Sequence, residues 1–136
     1  MWTNDYVGLP WRERGRDRTG VDCWGLVRLV LAERCGIDLP SYAEDYASPL
    51  ELAEVTALIE GRPAGLVGPV CQGCERPFDL ILLRDGGLPS HIGIVAGPRL
   101  MLHVRRGGDS VVEAYDGAPW RNRVVGFYRA GGSHAA

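Results

Sequence analysis

The sequence predicts an α+β fold in which helices come first and an antiparallel sheet follows. Apolar residues recur with a helical period over residues 23–31, whereas short β-branched and aromatic runs fill the chain after Pro77. A parallel sheet needs strands and helices in alternation, and this order of elements lacks that alternation. We therefore expect the strands to pair antiparallel.

Composition and charge exclude several classes of protein. The chain has 136 residues, of which 46% are hydrophobic and 24% charged, and its formal net charge is -2. This length is sufficient for one hydrophobic core, and the hydrophobic content and low net charge exclude a mainly disordered chain. No apolar run approaches the ~20 residues of a membrane-spanning helix. A pI near 5.9 does not indicate the excess of positive charge that is typical of proteins that bind nucleic acid. We expect one domain over residues 1–130 and a flexible tail over 131–136.

The first helix is predicted to begin at Asp22 or Cys23, after a stretch through Gly20 that is typical of loops and short turns. Asp22 suits the N-cap, and Gly36 suits the end of the helix because glycine readily adopts the left-handed conformation found there. The apolar stripe at i, i+3, i+4, i+7 and i+8 consists of Cys23, Leu26, Val27, Val30 and Leu31.

A second helix is predicted to begin at Ser48. With Ser48 as N-cap, Pro49 at the first helical position and Glu51 two residues later, the sequence forms a capping box, and Gly61 ends the helix. Residues 62–76 carry Gly or Pro every few positions and predict a loop.

Five short runs after Pro77 predict the strands of the sheet. Each is rich in aliphatic, β-branched or aromatic residues, and turn residues separate one from the next. The predicted strands are Phe78–Arg84, His91–Ala96, Leu100–Val104, Ser110–Tyr115 and Val124–Arg129.

Cys23 is the candidate nucleophile among the four cysteines. The N-terminus lacks the basic and apolar segments of a secretory signal, so we expect synthesis in the cytoplasm, where thiols stay reduced. At the first turn of a helix, unpaired N–H groups favour a thiolate, although a cysteine on an apolar stripe can equally be inert core. Cys71-Gln-Gly-Cys74 could supply half a zinc site or a redox pair, but we interpret it as a pair of reduced loop thiols.

Two histidines are the candidate partners of a nucleophilic cysteine, which needs a base and a group to orient that base. His91 and His103 face each other across a predicted hairpin if Gly97 is the centre of a three-residue loop. A two-residue loop would put the two rings on opposite faces of the sheet. Each histidine could also be an ordinary half-buried strand residue.

Four segments together resemble the NlpC/P60 cysteine peptidases, and the resemblance extends from about Tyr6 to Tyr128. They are Val-Gly-Leu-Pro-Trp-Arg-Glu-Arg-Gly at 7–15, Thr-Gly-Val-Asp-Cys-Trp-Gly-Leu-Val at 19–27, Pro-Phe-Asp-Leu-Ile-Leu at 77–82, and His-Ile-Gly-Ile-Val-Ala-Gly at 91–97 with Leu102-His103.

The resemblance implies a papain-like fold in which N-terminal helices pack on a five- to six-stranded antiparallel sheet. It makes Cys23 the nucleophile, His91 the general base and His103 the residue that orients the imidazole, with backbone N–H groups near Cys23 stabilising the oxyanion. It implies hydrolysis of peptidoglycan stem peptides, typically between D-glutamate and diaminopimelate. It implies no metal and no cofactor.

The sequence departs from the family pattern at two tryptophans. Trp11 stands where the family often has Tyr, and Trp24 follows the nucleophile, where Ser is common. The step Asp-Cys-Trp-Gly-Leu resembles the branch found in bacteriophage tails and gene-transfer particles, so we expect a virion protein with tail-tip or hub partners and no nucleic-acid or membrane partner. We also expect Trp11, Asp22 and Trp24 in the substrate groove.

Two other functions are compatible with the sequence. The chain could be a structural tail-tip component with little or no activity, or a thiol acyltransferase or amidase that uses the same triad. If it lies in a tail tip, Cys71 and Cys74 could share a metal with a neighbouring subunit. Asp79 is expected to be structural, and Glu113 and Asp116 show no pairing that would suggest a glycosidase dyad.

Overall fold

The computed structural model describes residues 1–39, 67–85 and 88–131. The helix predicted to begin at Ser48 and end at Gly61 lies outside these residues, as do positions 132–136 of the predicted tail. In the described part of the chain, no helix is both long and apolar enough to cross a membrane.

The main element is a six-stranded antiparallel sheet with the strand order β3-β8-β4-β5-β6-β7. Its strands are β3 (Val67–Val70), β4 (Leu80–Asp85), β5 (Leu88–Gly97), β6 (Leu100–His103), β7 (Val111–Ala114) and β8 (Val124–Ala130), and a separate pair consists of β1 (Arg16–Asp17) and β2 (Gly20–Val21). All five predicted strands are present, and the predicted α+β class is confirmed.

Strand β3 corrects the prediction of a continuous loop over residues 62–76. Residues 67–70 pair with the last strand, Val67 opposite Ala130 and Val70 opposite Phe127. The sequence pattern does not predict this strand because Gly68 and Pro69 interrupt its run of apolar residues. Among the described strands, β3 lies at the edge of the sheet, a position that tolerates proline because one side of an edge strand donates no N–H to a neighbour.

Helix α1 (Cys23–Val30) begins where the sequence predicts. The Asp22 carboxylate accepts a hydrogen bond from the Gly25 N–H at 2.7 Å, which is the N-cap interaction. A π-helical turn, Leu31–Cys35, continues the helix, and Gly36 ends it with a φ of 67°.

The core has two parts, one on each face of the sheet. Side chains of α1 pack on one face, which we call the helix face, against Leu82, Ile92 and Ile94. The other face, which we call the Trp120 face, carries a second hydrophobic cluster. Its buried members are Ile81, Leu83, Val95, Met101, Tyr115, Trp120 and Phe127. Because side chains alternate along a strand, burial on both faces explains the unbroken apolar run of β4.

The turn between β5 and β6 differs from the predicted three-residue loop. Gly97 pairs with Leu100 across a two-residue connection, but a register shift between Val95 and Gly97 follows, and Ile94 then pairs with Leu102. The irregularity adds one residue to β5 and thereby cancels the change of face that a two-residue loop alone would cause.

Candidate active site

Cys23 is the first residue of α1 and is buried, with 1% of its surface exposed. The cap before it is reinforced, because the Asp22 oxygen that accepts the Gly25 N–H also accepts from the Arg16 guanidinium at 2.7 Å. A side chain at Gly25 is sterically excluded, since its Cβ would lie 2.0 Å from the Gly15 carbonyl oxygen. The Asp-Cys-x-Gly step therefore fixes the start of the helix against the preceding loop.

His91 on β5 and His103 on β6 are joined by a hydrogen bond of 2.8 Å between His91 Nε2 and His103 Nδ1. Both side chains are buried. They are not directly opposite each other as predicted. Because Ile94 pairs with Leu102, His103 lies opposite position 93, two residues along β5 from His91. The two rings therefore meet along a diagonal between neighbouring strands.

Gly93 makes that diagonal contact possible. A Cβ at this position would lie 3.0 Å from the Leu102 carbonyl oxygen and 3.1 Å from the Cβ of His103. Both distances are closer than side chains normally pack, so any larger residue would push β6 and His103 away. This is the physical reason for glycine in the His-Ile-Gly-Ile segment.

Trp120 covers both histidine rings on the face that carries them. Its indole stacks on His91 with a centroid distance of 5.6 Å and contacts His103 edge-on at 5.2 Å. The guanidinium groups of Arg105 and Arg123 lie 5.1 Å and 5.3 Å from the indole centroid, within cation–π range. Sequence reasoning missed Trp120, because it lies outside every strand and no periodic pattern marks it.

Glu113 on β7 extends the hydrogen-bond chain beyond the two histidines. Its Oε1 atom lies 2.6 Å from His103 Nε2. Glu113 pairs with Met101 in the ladder and therefore shares the face of His103, again one diagonal step away. No sequence pattern indicates this contact, since the connection between β6 and β7 is too long to fix a register.

Burial controls the protonation of both rings. Burial, together with smaller effects in the same direction from the nearby His103 and Arg105, lowers the pKa of His91 to about 3. Burial also lowers the pKa of His103, against the opposing effect of Glu113. Both imidazoles are thus neutral at neutral pH, which is the form that can accept a proton.

Cys23 and His91 lie on elements that pack against each other, since α1 lies against β5. Cys23 belongs to the helix-face cluster together with Ile92, the residue that follows His91 on β5, and the His91 ring itself stacks on Trp120. The structure thus joins the two histidines directly and places the cysteine on the helix beside their strand. The three catalytic roles remain predictions.

The three predicted substrate-binding residues have different surroundings. Trp24 is buried in the helix-face cluster, and Asp22 is buried as the helix cap. Each of these two side chains thus has a structural contact in the fold, and the predicted roles of Trp24 and Asp22 in the substrate groove stay predictions. Trp11 is partly exposed, with the Arg106 guanidinium 5.0 Å from its ring centroid, and its predicted role stays a prediction.

The remaining candidates are structural or exposed. Asp79 accepts two hydrogen bonds of 2.8 Å from Arg129 and one from the Arg76 N–H, as expected for a residue that holds a turn. Cys71 and Cys74 are exposed at a turn closed by the Cys74 N–H and the Cys71 carbonyl. Within residues 1–39, 67–85 and 88–131, no group of three His, Cys, Asp or Glu side chains is arranged to hold a metal ion.

A model of the NlpC/P60 family matches residues 8–129. The chain is also similar to the murein DD-endopeptidase MepS/murein LD-carboxypeptidase of Escherichia coli strain K12, with 26% identity over 119 residues that cover 88% of this chain and 54% of the relative. The proteins of the same name from E. coli O6:H1 and O157:H7 give the same values. The chain therefore spans about half the length of these curated relatives.

Solved structures share the fold at low sequence identity. The NlpC/p60 domain of the peptidoglycan hydrolase SagA aligns with a TM-score of 0.59 and 22% identity, covering 95% of this chain and 92% of that one. A family protein from Bacillus cereus ATCC 10987 gives a TM-score of 0.64 at 20% identity over 91% of this chain and 36% of that one. An NLP/P60 family protein of Staphylococcus aureus Mu50, described as similar to lipoprotein, gives a TM-score of 0.63 at 21% identity over 93% of this chain and 38% of that one.

Proposed function

Because the chain belongs to the NlpC/P60 family, we propose that it is a cysteine endopeptidase that hydrolyses the stem peptides of peptidoglycan. The observation that carries the proposal is the buried, hydrogen-bonded pair His91–His103 on the strands beside the helix that begins at Cys23. Hydrolysis of murein in the names of the E. coli relatives and of peptidoglycan in that of SagA supports the choice of substrate.

In the proposed reaction, His91 accepts the thiol proton of Cys23 and the thiolate attacks the carbonyl carbon of the scissile bond. Collapse of the tetrahedral intermediate breaks the C–N bond, leaves a thioester on Cys23, and His91 returns its proton to the leaving amine. A water molecule, deprotonated by His91, then hydrolyses the thioester to a carboxylate and the free thiol. His103 holds the imidazole in place, and N–H groups at the start of α1 stabilise the oxyanion.

We propose the D-glutamyl–diaminopimelate bond as the bond that is cut. The names of the E. coli relatives specify two other bonds, the DD cross-link and the LD bond before the terminal residue. These three cleavages release fragments of different mass from one cross-linked muropeptide. Mass spectrometry of the products therefore identifies the bond in a single digestion.

The experiment compares the wild-type protein with Cys23→Ala and Cys35→Ala on defined diaminopimelate-type muropeptides. Cys35 ends the same helical segment but is exposed, so its variant is the matched control. We expect cleavage by wild type and Cys35→Ala and none by Cys23→Ala. Equal cleavage by all three proteins would refute thiol catalysis. Transfer of the acyl group to an added amine would instead indicate an acyltransferase.

Pairing of Cys23 with His91 is tested separately by the rate of iodoacetamide modification at Cys23, followed by peptide mass spectrometry. A thiol whose proton His91 accepts as the sulfur attacks is modified faster at neutral pH than a thiol without such a base. We expect His91→Ala to slow the modification of Cys23 and to leave that of the exposed Cys71 unchanged. Equal rates at Cys23 in both proteins would contradict the pairing.

We also propose that the protein is carried in a bacteriophage tail or a gene-transfer particle, where it assists local wall degradation during genome delivery. The support is the sequence Asp-Cys-Trp-Gly-Leu at residues 22–26, in which Trp replaces the more common Ser. Tail-tip or hub proteins are the expected partners. Mass spectrometry of purified particles from the producing bacterium should detect the chain, and its presence only in particle-free fractions would refute this assignment.

A further inference from the structure

A chain of two hydrogen bonds crosses three neighbouring strands on the Trp120 face. It runs from His91 on β5 to His103 on β6 at 2.8 Å, and from His103 to Glu113 on β7 at 2.6 Å. The two histidines are 1% exposed, whereas the side chain of Glu113 is 41% exposed. These two hydrogen bonds therefore connect His91, the buried candidate base, to a carboxylate at the protein surface.

The donors and acceptors in this chain are not interchangeable. An ionised carboxylate can only accept, so His103 must carry its proton on Nε2 to bond to Glu113. A neutral His103 with a proton on Nε2 has a lone pair on Nδ1, and this atom can only accept from His91. His91 must then carry its proton on Nε2, which leaves its Nδ1 unprotonated.

We propose that Glu113 is a positioning residue that fixes the tautomers of both histidines and so presents the unprotonated Nδ1 of His91 as the site that accepts the thiol proton. This inference rests on the proposed function, because the proton it concerns comes from Cys23. Without the carboxylate, His103 could carry its proton on Nδ1 and face the Nε2 proton of His91. The hydrogen bond between the rings would then be lost, or His91 would change its tautomer and present a proton instead of a lone pair.

Charge adds a second effect in the same direction. When His91 accepts a proton it becomes a buried cation, and burial without compensation is unfavourable. Glu113 supplies a negative charge two hydrogen bonds away. The other charged groups that act on His103 are Arg105, which opposes protonation, and Asp85, which favours it. Arg105 also contacts Asp85 at 3.3 Å, so these two charges partly cancel each other.

The test uses Glu113→Gln and Glu113→Ala with Asp116→Asn as the control. Asp116 is an exposed carboxylate just after β7 that pairs with Arg99 and contacts neither histidine, so Asp116→Asn makes the same change in net charge as Glu113→Gln. The primary measurement is long-range ¹H–¹⁵N NMR of the imidazole nitrogens at neutral pH. It reports which nitrogen of each ring carries the proton, and it does not depend on catalysis.

We expect both rings of the wild type and of Asp116→Asn to be protonated on Nε2 alone. Glu113→Ala should give a mixture of tautomers at His103 and His91, and Glu113→Gln a smaller change because its amide oxygen can still accept. For muropeptide cleavage we expect both Glu113 variants to lower kcat by about tenfold or more with little change in KM. This is a smaller loss than the ~10⁴-fold typical of removing the direct orienting partner of a catalytic histidine.

The outcomes separate this inference from the proposed function. Unchanged tautomers in both Glu113 variants would overturn the inference even if the wild type cleaves peptidoglycan. A tautomer change in a protein that cleaves no muropeptide would leave the positioning role intact and overturn the proposed function. Loss of cleavage in Glu113→Ala with wild-type NMR spectra would also overturn the inference, since the residue would then act by another route.

Discussion

Mild acid is expected to destabilise the fold through His91. Burial is the main cause that lowers the pKa of this imidazole from its ordinary value of 6.5 to about 3 in the folded chain. Below pH 6.5 the unfolded chain therefore binds a proton that the folded chain does not, and the free energy of unfolding falls as the pH falls. Near pH 5 the slope from this one group is about 1.3 kcal/mol per pH unit, and the loss between pH 7.5 and pH 5 is about 2 kcal/mol.

This pH range isolates the histidines from the carboxylates. The pKa values of the Asp17 and Glu75 carboxyls are also altered, but both are lowered from ordinary values of 3.8 and 4.5, so these groups change the free energy of unfolding only below about pH 5. His103 acts in the same direction as His91, since its pKa is also lowered. The wild-type slope between about pH 5 and 7.5 should therefore be at least that of one histidine.

The assay is urea unfolding followed by tryptophan fluorescence at half-unit steps of pH for wild type and His91→Gln. Gln keeps a polar side chain but does not titrate, so the comparison concerns the slope and not the absolute stability of the variant. We expect the variant to lose about 1.3 kcal/mol per pH unit of slope near pH 5. Parallel plots for the two proteins would refute the reasoning, because they would mean that His91 titrates normally in the folded chain.

Two further predictions concern residues that support the site. Gly93→Ala should destabilise the fold by about 1–3 kcal/mol, since the new methyl group meets the Leu102 carbonyl and the Cβ of His103, whereas Gly97→Ala on the same strand meets nothing within 4 Å and should be nearly neutral. Equal urea midpoints for the two variants would contradict this. Asp22→Ala should lower the free energy of unfolding by about 1 kcal/mol or more because the helix loses its cap, whereas the control Asp38→Ala, at an exposed side chain, should lower it by less than about 0.5 kcal/mol. If both variants unfold at the same urea concentration, Asp22 does not stabilise the fold as a cap.

Local features of the sequence were sufficient for much of the fold. Asp22 and Gly36 mark the ends of α1 and its π-helical continuation because capping depends on only a few neighbouring residues. The apolar runs after Pro77 predicted five of the six strands of the main sheet because burial of β4 and β5 leaves a direct pattern in the sequence. The same segments named Cys23, His91 and His103 as the candidate catalytic residues.

Strand β3 and the relation between the two histidines were decided by contacts between distant parts of the chain. Residues 67–70 become a strand only because the last strand lies beside them. The His91–His103 contact depends on a one-residue register shift after the turn, since without it the rings would lie on opposite faces. A shift of this kind reflects packing on both sides of the sheet and leaves no mark in residues 96–99.

Glu113 and Trp120 show the same division most clearly. Propensity and periodicity act over a few residues, and they predicted the helix at Cys23 and the segments that form β4 to β8. Only the tertiary structure decided that a carboxylate on β7 bonds to His103 and that an indole from a connecting segment covers both rings. The physical reason is that register across a long connection is set by the packing of the assembled sheet, which no local stretch of sequence encodes.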